Sequence, residues 1–319
     1  MKKILPSLVV IAGVLVLMSC PSPGSASGAS GGTLTINLPV ISMQQVGKNP
    51  VLTGTSSYDI LGTGPGSAGF QRNGITAQTV TIGSLAAGSW QVEVNGNNAA
   101  KKVISTATTQ VTVVEGSTAS ADVLESQFTS SSGLSISLTW ANALNETFVE
   151  ADLTPLNGSP STINLPAAAN AGGTTTISAT KAVAPGYYTL SRVFQDPTGF
   201  RSGGADSLYV PPADTASFAL NVDATGAVTV TITPDPPSTF QIALSSVKAN
   251  YGKGQDITVA ATVSGKPSIQ WYLNGALQSQ TGPAVTLSNL PGGAYRLDCV
   301  AAVGGVLISD HVNFSVAGK

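Results

Sequence analysis

A strand, a glycine-bearing turn and a second strand opened by an aromatic residue occur three times in this 319-residue chain, about a hundred residues apart. In the first copy Thr79-Val80-Thr81-Ile82 leads to Gly88-Ser89-Trp90-Gln91-Val92-Glu93-Val94. In the second, Thr174-Thr175-Thr176-Ile177 leads to Pro185-Gly186-Tyr187-Tyr188-Thr189-Leu190. In the third, Ala284-Val285-Thr286-Leu287 leads to Pro291-Gly292-Gly293-Ala294-Tyr295-Arg296-Leu297. A further alternating segment follows each turn, at 110–114, 206–210 and 311–316. Side chains two apart on a strand share a face, so an alternating strand buries its apolar face only against another layer. Trp90, Tyr187 and Tyr295 thus read as equivalent packing residues. The spacing is that of a domain, and the chain reads as all-β, with three tandem β-sandwich-like modules at 33–128, 129–238 and 239–319.

The last boundary is the sharpest. Val228-Thr229-Val230-Thr231-Ile232 reads as a strand, and Pro234, Pro236 and Pro237 then remove ladder donors and stiffen the connector. Beyond it, residues 257–261 and 269–273 alternate as strands, and Asn274-Gly275 is a turn pair suited to positive backbone dihedrals. With Trp271-Tyr272, Gly293-Ala294-Tyr295 and the final strand, this stretch resembles bacterial immunoglobulin-like or PKD-like modules. The antibody-type disulfide is missing, because Cys20 and Cys299 are the sole cysteines. The first two modules resemble, through Gly88-Ser89-Trp90 with Val111-Thr112-Val113 and Pro185-Gly186-Tyr187-Tyr188 with Leu208-Tyr209-Val210, the tandem sandwiches of spirochaete-type surface lipoproteins.

The N-terminus carries Lys2 and Lys3 ahead of an apolar run from Ile4 to Met18, about 15 residues long, short for a bilayer span but suited to a secretion signal. Leu17-Met18-Ser19-Cys20 resembles the lipobox of bacterial lipoproteins, although Met18 departs from the usual residue. The resemblance implies a signal peptide at 1–19, with Cys20 lipidated as the mature N-terminus. Pro21, rather than Asp, after that cysteine implies the outer membrane in bacteria that use this sorting rule. Residues 20–32, nearly all Ser, Gly, Pro and Ala, are expected to form a flexible tether. Cys299 alternates with Tyr295 and Leu297, which predicts a buried strand thiol.

Charge narrows the partners. Fourteen basic and 16 acidic side chains give a net charge of −2 without long runs, and charged residues make up only 9% of the chain. Nucleic-acid binding needs a concentrated basic footprint that is missing here. The expected partners are a membrane, through the N-terminal lipid, and a protein or glycan ligand. No cofactor and no metal is expected.

Chemistry-bearing groups are few. His311 is the single histidine, which excludes a multi-histidine zinc site. No Gly-x-Ser-x-Gly elbow precedes a helical pattern. Glu146, Glu150 and Asp152 form one acidic cluster, with Glu150 and Asp152 on one face of an extended segment, readable as paired acids or as a solvated edge. Residues 221–226 are expected to form a hairpin turn rather than a calcium loop. Gly62, Gly64, Gly66 and Gly69 read as a long connection, with 61–74 and 196–204 as candidate binding loops. Asp196 and Arg201 in the second loop, and Tyr272 if its ring faces water, are the candidate interaction residues. The expectation is a non-enzymatic, membrane-anchored envelope lipoprotein acting as a surface interaction module or adhesin. The alternatives are a periplasmic spacer and a carbohydrate- or peptide-hydrolysing enzyme.

Overall fold

A computed structural model describes residues 31–41, 49–235 and 240–318. The signal segment, Cys20, Pro236 and Pro237 lie outside the described residues. Strands β1 (Gly32–Asn37), β2 (Ser57–Thr63), β3 (Gly69–Ile75), β4 (Thr79–Leu85), β5 (Gly88–Asn97), β6 (Val103–Val113) and β7 (Thr118–Asp122) form two sheets, ordered β4-β1-β7 and β3-β2-β5-β6. Leu34, Ile36, Tyr58, Ile60, Trp90, Val92 and Val94 fill the space between them. The strand thus starts at Gly32, inside the expected tether.

The next group comprises β8 (Ser132–Ala141), β9 (Thr147–Pro155), β10 (Ser161–Thr162), β11 (Ala169–Ala171), β12 (Thr174–Val183), β13 (Gly186–Gln195), β14 (Arg201–Val210), β15 (Thr215–Val222) and β16 (Val228–Thr233). Its sheets run β10-β9-β13-β14 and β11-β12-β8-β15-β16. The first two modules share a plan. In each, the opening strand is flanked by one antiparallel and one parallel neighbour: β1 by β4 and β7, β8 by β12 and β15.

The third group is built differently. Strands β17 (Ile242–Leu244), β18 (Asn250–Tyr251), β19 (Ile257–Val263), β20 (Ser268–Leu273), β21 (Ala276–Thr281), β22 (Ala284–Leu287), β23 (Gly293–Val303) and β24 (Val306–Val316) pair as β17-β19-β22 and β18-β24-β23-β20-β21. Here the parallel contact to the last strand is the two-residue β18, a separate piece.

What the modules share is the corner. In each, the chain leaves one sheet (β4, β12, β22), turns, and enters the other as the first arm of a long hairpin (β5–β6, β13–β14, β23–β24). The entering glycines have φ of 136°, 151° and 159°, which a side chain would strain. Two residues later an aromatic turns inward, and its polar tip donates to the carbonyl four residues before it. Trp90 Nε1 reaches Ala86 O at 2.9 Å, Tyr188 OH reaches Ala184 O at 2.7 Å, and Tyr295 OH reaches Pro291 O at 2.8 Å. Each buried ring thus ties off a carbonyl of the crossover and fills the core beneath it. The corner residue of the second module is therefore Tyr188, not Tyr187.

Tyr187 faces the other way, and that determines how the modules sit together. Every residue of β13 from Gly186 to Phe194 is buried, whereas β5 alternates. Tyr188, Leu190 and Phe194 enter the second module's core, while Tyr187, with Ala205 and Tyr209 of β14, belongs to the core of the third. The rings of Tyr187 and Tyr209 lie 4.8 Å apart. The β9-β13-β14 sheet thus packs its outer face on β20-β23-β24, and the two modules make a four-layer stack. Each large side chain withdrawn from water in this way contributes roughly 2 kcal/mol. The first module joins through the reciprocal backbone pair Thr106–Thr129 (3.0 and 2.9 Å), Lys102 Nζ donating to Ala213 O at 2.7 Å, and Pro50 lying beside Gly186.

The glycine-rich 62–69 segment is not a long connection. Gly62 lies within β2, Gly69 starts β3, and the two strands pair as a hairpin. Gly64 lies against the Trp90 ring, where a larger side chain would collide. Asn274 and Gly275 have the expected positive φ, 50° and 81°. Residues 223–227 close the β15–β16 hairpin, with Asp223 Oδ1 accepting from the backbone of Thr225 and Ala227.

Candidate functional site: the cleft at the second–third module seam

β14 is an edge strand, and its inward row is Ser202, Gly204 and Asp206 before the apolar Leu208 and Val210. Polar and side-chain-free positions leave the sandwich open at this end. Arg296 from β23 of the third module enters that opening. A Cβ on Gly204 would stand 2.8 Å from Arg296 Nε, so the missing side chain is what admits the guanidinium. A Cβ on Gly275 would collide with the Arg192 carbonyl oxygen, so the β20–β21 turn also approaches β13 closely.

Four charged groups meet there. Arg192 Nη1 donates to Asp206 Oδ2, Arg296 Nη2 donates to Asp206 Oδ1 at 3.1 Å, and Arg296 Nε donates to Asp298 Oδ1 at 2.6 Å. The Arg192 guanidinium also stands 5.0 Å over the Phe218 ring. Asp298 is fully buried, and its Oδ2 accepts the Ala205 N–H at 3.1 Å, across the seam. Three further bonds cross: Asn274 Nδ2 to Arg201 O at 2.7 Å, Ser207 N to Ser309 Oγ at 3.0 Å, and the Ser207–Ser309 hydroxyl pair at 3.0 Å.

The two carboxyls differ. Burial acts to raise Asp206, but the two arginines outweigh it and hold the group below the usual carboxylate range. Burial dominates at Asp298, only partly offset by Arg296, and pushes it up to about 6. Burial, and next Arg296, lowers the His311 imidazole.

Above this floor lies a cleft of about 800 Å³. Phe194, Leu220 and Val230 supply apolar wall from the second module, and Tyr295 and Phe314 from the third. Glu146, held by Ser202 Oγ at 2.7 Å, His311 and Asn313 add to its polar lining. A smaller pocket of about 220 Å³, with Pro50, Pro155 and Pro185 in its wall, contains no charged residue.

The residues expected from sequence fall mostly elsewhere. Tyr272 is 4% exposed and packed in the third module's core, so it offers no ring to a partner; its neighbour Trp271 is buried as well, because both faces of β20 are covered. Asp196 caps its own turn, accepting from Thr198 Oγ1 at 2.7 Å and from the Thr198 and Phe200 amides, and these bonds, the Thr198 hydroxyl first, lower its pKa. Arg201 is exposed at the start of β14 and enters the seam through its backbone carbonyl. The acids do not share the cleft: Glu146 lines it, Glu150 is exposed on β9, and Asp152 has a buried Oδ1 without a hydrogen-bond partner among the described residues. Among the described residues no group of three His, Cys, Asp or Glu side chains is placed to hold a metal ion. Cys299 is buried with its thiol pushed up to about 12, mainly by burial. Arg192 could have been found from sequence, since it puts a charge in the inward row of β13 among Tyr188, Leu190 and Phe194. Nothing local marked Arg296 as part of the cluster.

No family model matches this sequence, and no curated protein matches it. Among solved structures, the chain is similar to Sidekick-1 immunoglobulin domains 1–4 (11% identity, 90% of this chain and 72% of that one, TM-score 0.27). It is also similar to fibronectin(III)-like modules of Clostridium thermocellum CbhA (14%, 57% and 89%, TM-score 0.22). It spans 26% of a leucine-rich repeat protein from Bacteroides thetaiotaomicron (13%, 61% of this chain, TM-score 0.21). Whole-chain superposition is poor at these scores, and the all-β tandem-sandwich architecture rests on the strand pairing itself.

Proposed function

We propose that this chain is a non-enzymatic, lipid-anchored envelope protein that presents a rigid interaction unit made of its second and third modules. The observation that carries this reading is the cleft: a concavity walled largely by strand residues, at a seam fixed by buried charge pairs. Clefts at domain interfaces with a few convergent polar groups are where small ligands bind. That Glu150 and Asp152, the carboxylates of the hydrolase alternative, do not line this cleft supports the non-enzymatic reading. A pure spacer has no use for the open polar mouth of β14. Anchoring is supported by the Leu17–Cys20 pattern and the small-residue stretch after it.

The test uses the full-length chain in its own cells. Cys20→Ala should prevent metabolic labelling with a fatty acid and release the protein from the membrane fraction. Protease added to intact cells, with a periplasmic protein as control, should cut the wild-type chain while the control survives. Labelling that persists in Cys20→Ala refutes the anchor, and protection until the outer membrane is opened refutes surface presentation in favour of a periplasmic role.

A further inference from the structure

The charges that line the cleft balance. Arg192 and Arg296 carry two positive groups, Asp206 and Glu146 two negative ones, and Asp298 lies beneath the floor, fully buried. A carboxylate or phosphate ligand would find the guanidiniums already neutralised and Asp206 between them; an ammonium would find the reverse. Hydrogen-bonding capacity is far from spent. Arg192 is buried and engaged with Asp206 and the Phe218 ring, whereas Arg296 is partly exposed and makes two side-chain bonds, leaving N–H donors on its fork. Glu146 uses one oxygen, on Ser202, and Asn313 opens its amide to the same space. Donors and acceptors thus alternate across a field of no net charge.

A hydroxyl group fits this pattern better than any ion, because it accepts from an arginine and donates to a carboxylate at once. The apolar wall of Leu220, Val230 and Phe194 offers a surface for the C–H face of a ring. We infer that the cleft binds a neutral, hydroxyl-rich ligand, a sugar unit of one or two rings, with Glu146, Arg296 and Asn313 as its main polar contacts. This deepens the interaction-unit reading above and rests on it.

Glucose, galactose and N-acetylglucosamine would be titrated into the mature chain by saturation-transfer NMR and calorimetry, with benzoate and phenylalanine as charged comparators. At least one sugar is expected to bind saturably. Ala227, exposed at the cleft's rim, provides a blocking variant that spares the core. Ala227→Trp should weaken binding at least about tenfold, while Ser202→Ala, which frees Glu146, should weaken it a few-fold with an unchanged circular dichroism spectrum. Tighter binding of benzoate or phenylalanine, blocked by Ala227→Trp, overturns the sugar assignment but leaves the cleft as a binding element. Sugar binding that survives Ala227→Trp overturns the location. Binding of no probe overturns this inference, and the anchoring and protease results then stand or fall separately.

Discussion

Asp298 gives this protein an unusual response to mild acid. Its carboxyl is fully buried, bonded to Arg296 Nε at 2.6 Å and to the Ala205 amide at 3.1 Å, and burial pushes it up to about 6 from an ordinary 3.8. Because the folded value lies above the unfolded one, the folded chain holds the extra proton in between. The stability this residue contributes is fully present below the unfolded value and is lost as pH rises through about 6. The full span is on the order of 3 kcal/mol, and the part gained on going from about pH 7 to about pH 5 is about 1 kcal/mol. His311 opposes it: a lowered imidazole contributes stability at higher pH that is lost as pH falls through the ordinary histidine range. The assay therefore compares wild type with Asp298→Asn by urea unfolding, followed by tryptophan fluorescence and circular dichroism, at several pH values. His311 is common to both chains and cancels, so wild type should gain about 1 kcal/mol on the variant between about pH 7 and about pH 5. A flat difference, or a wild type that loses ground, would mean that Arg296 keeps Asp298 ionised and that the ion pair outweighs burial.

Gly204→Val should place a side chain where Arg296 now enters, cost about 2 kcal/mol, and make the second and third modules unfold in separate steps in calorimetry. Tyr188→Phe and Tyr295→Phe each remove the corner bond to the carbonyl four residues back and should cost about 1 kcal/mol in urea unfolding, with the fold unchanged by circular dichroism. Cys299, fully buried with a thiol raised to about 12, should resist iodoacetamide in the native chain and react once urea unfolds it; native labelling at the free-thiol rate would refute its placement.

The sheets were legible because alternation and turn glycines are local. Gly88, Gly186 and Gly293 each pair with a valine, at 113, 210 and 316, in the same hairpin register that the sequence pattern implies. Less legible was which of two adjacent tyrosines turns inward, since Tyr187 and Tyr188 are chemically alike and both end up buried. The strand order was also hidden. The first two modules follow one plan and the third another, although all three share the corner motif. The site was least legible of all. Arg192, Asp206, Arg296 and Asp298 come from three strands of two modules, and nothing local in the sequence says that they meet. Tyr272 looked available for contact because a lone sandwich leaves one sheet face wet. The four-layer stack removes that face.

The same stack bears on how such a chain can change over evolutionary time. A tandem array usually gains, loses or exchanges units by recombination at the joints, and that requires each unit to be presentable without its neighbour. Between the first and second modules the joint is a backbone pair, a lysine contact and the Pro50–Thr53 segment beside Gly186 and Tyr187. Between the second and third a cut would uncover Tyr187, Ala205 and Tyr209 on one side, and strand the buried Asp298 beside Arg296 on the other. On that ground descendants of this chain are expected to carry the second and third modules together.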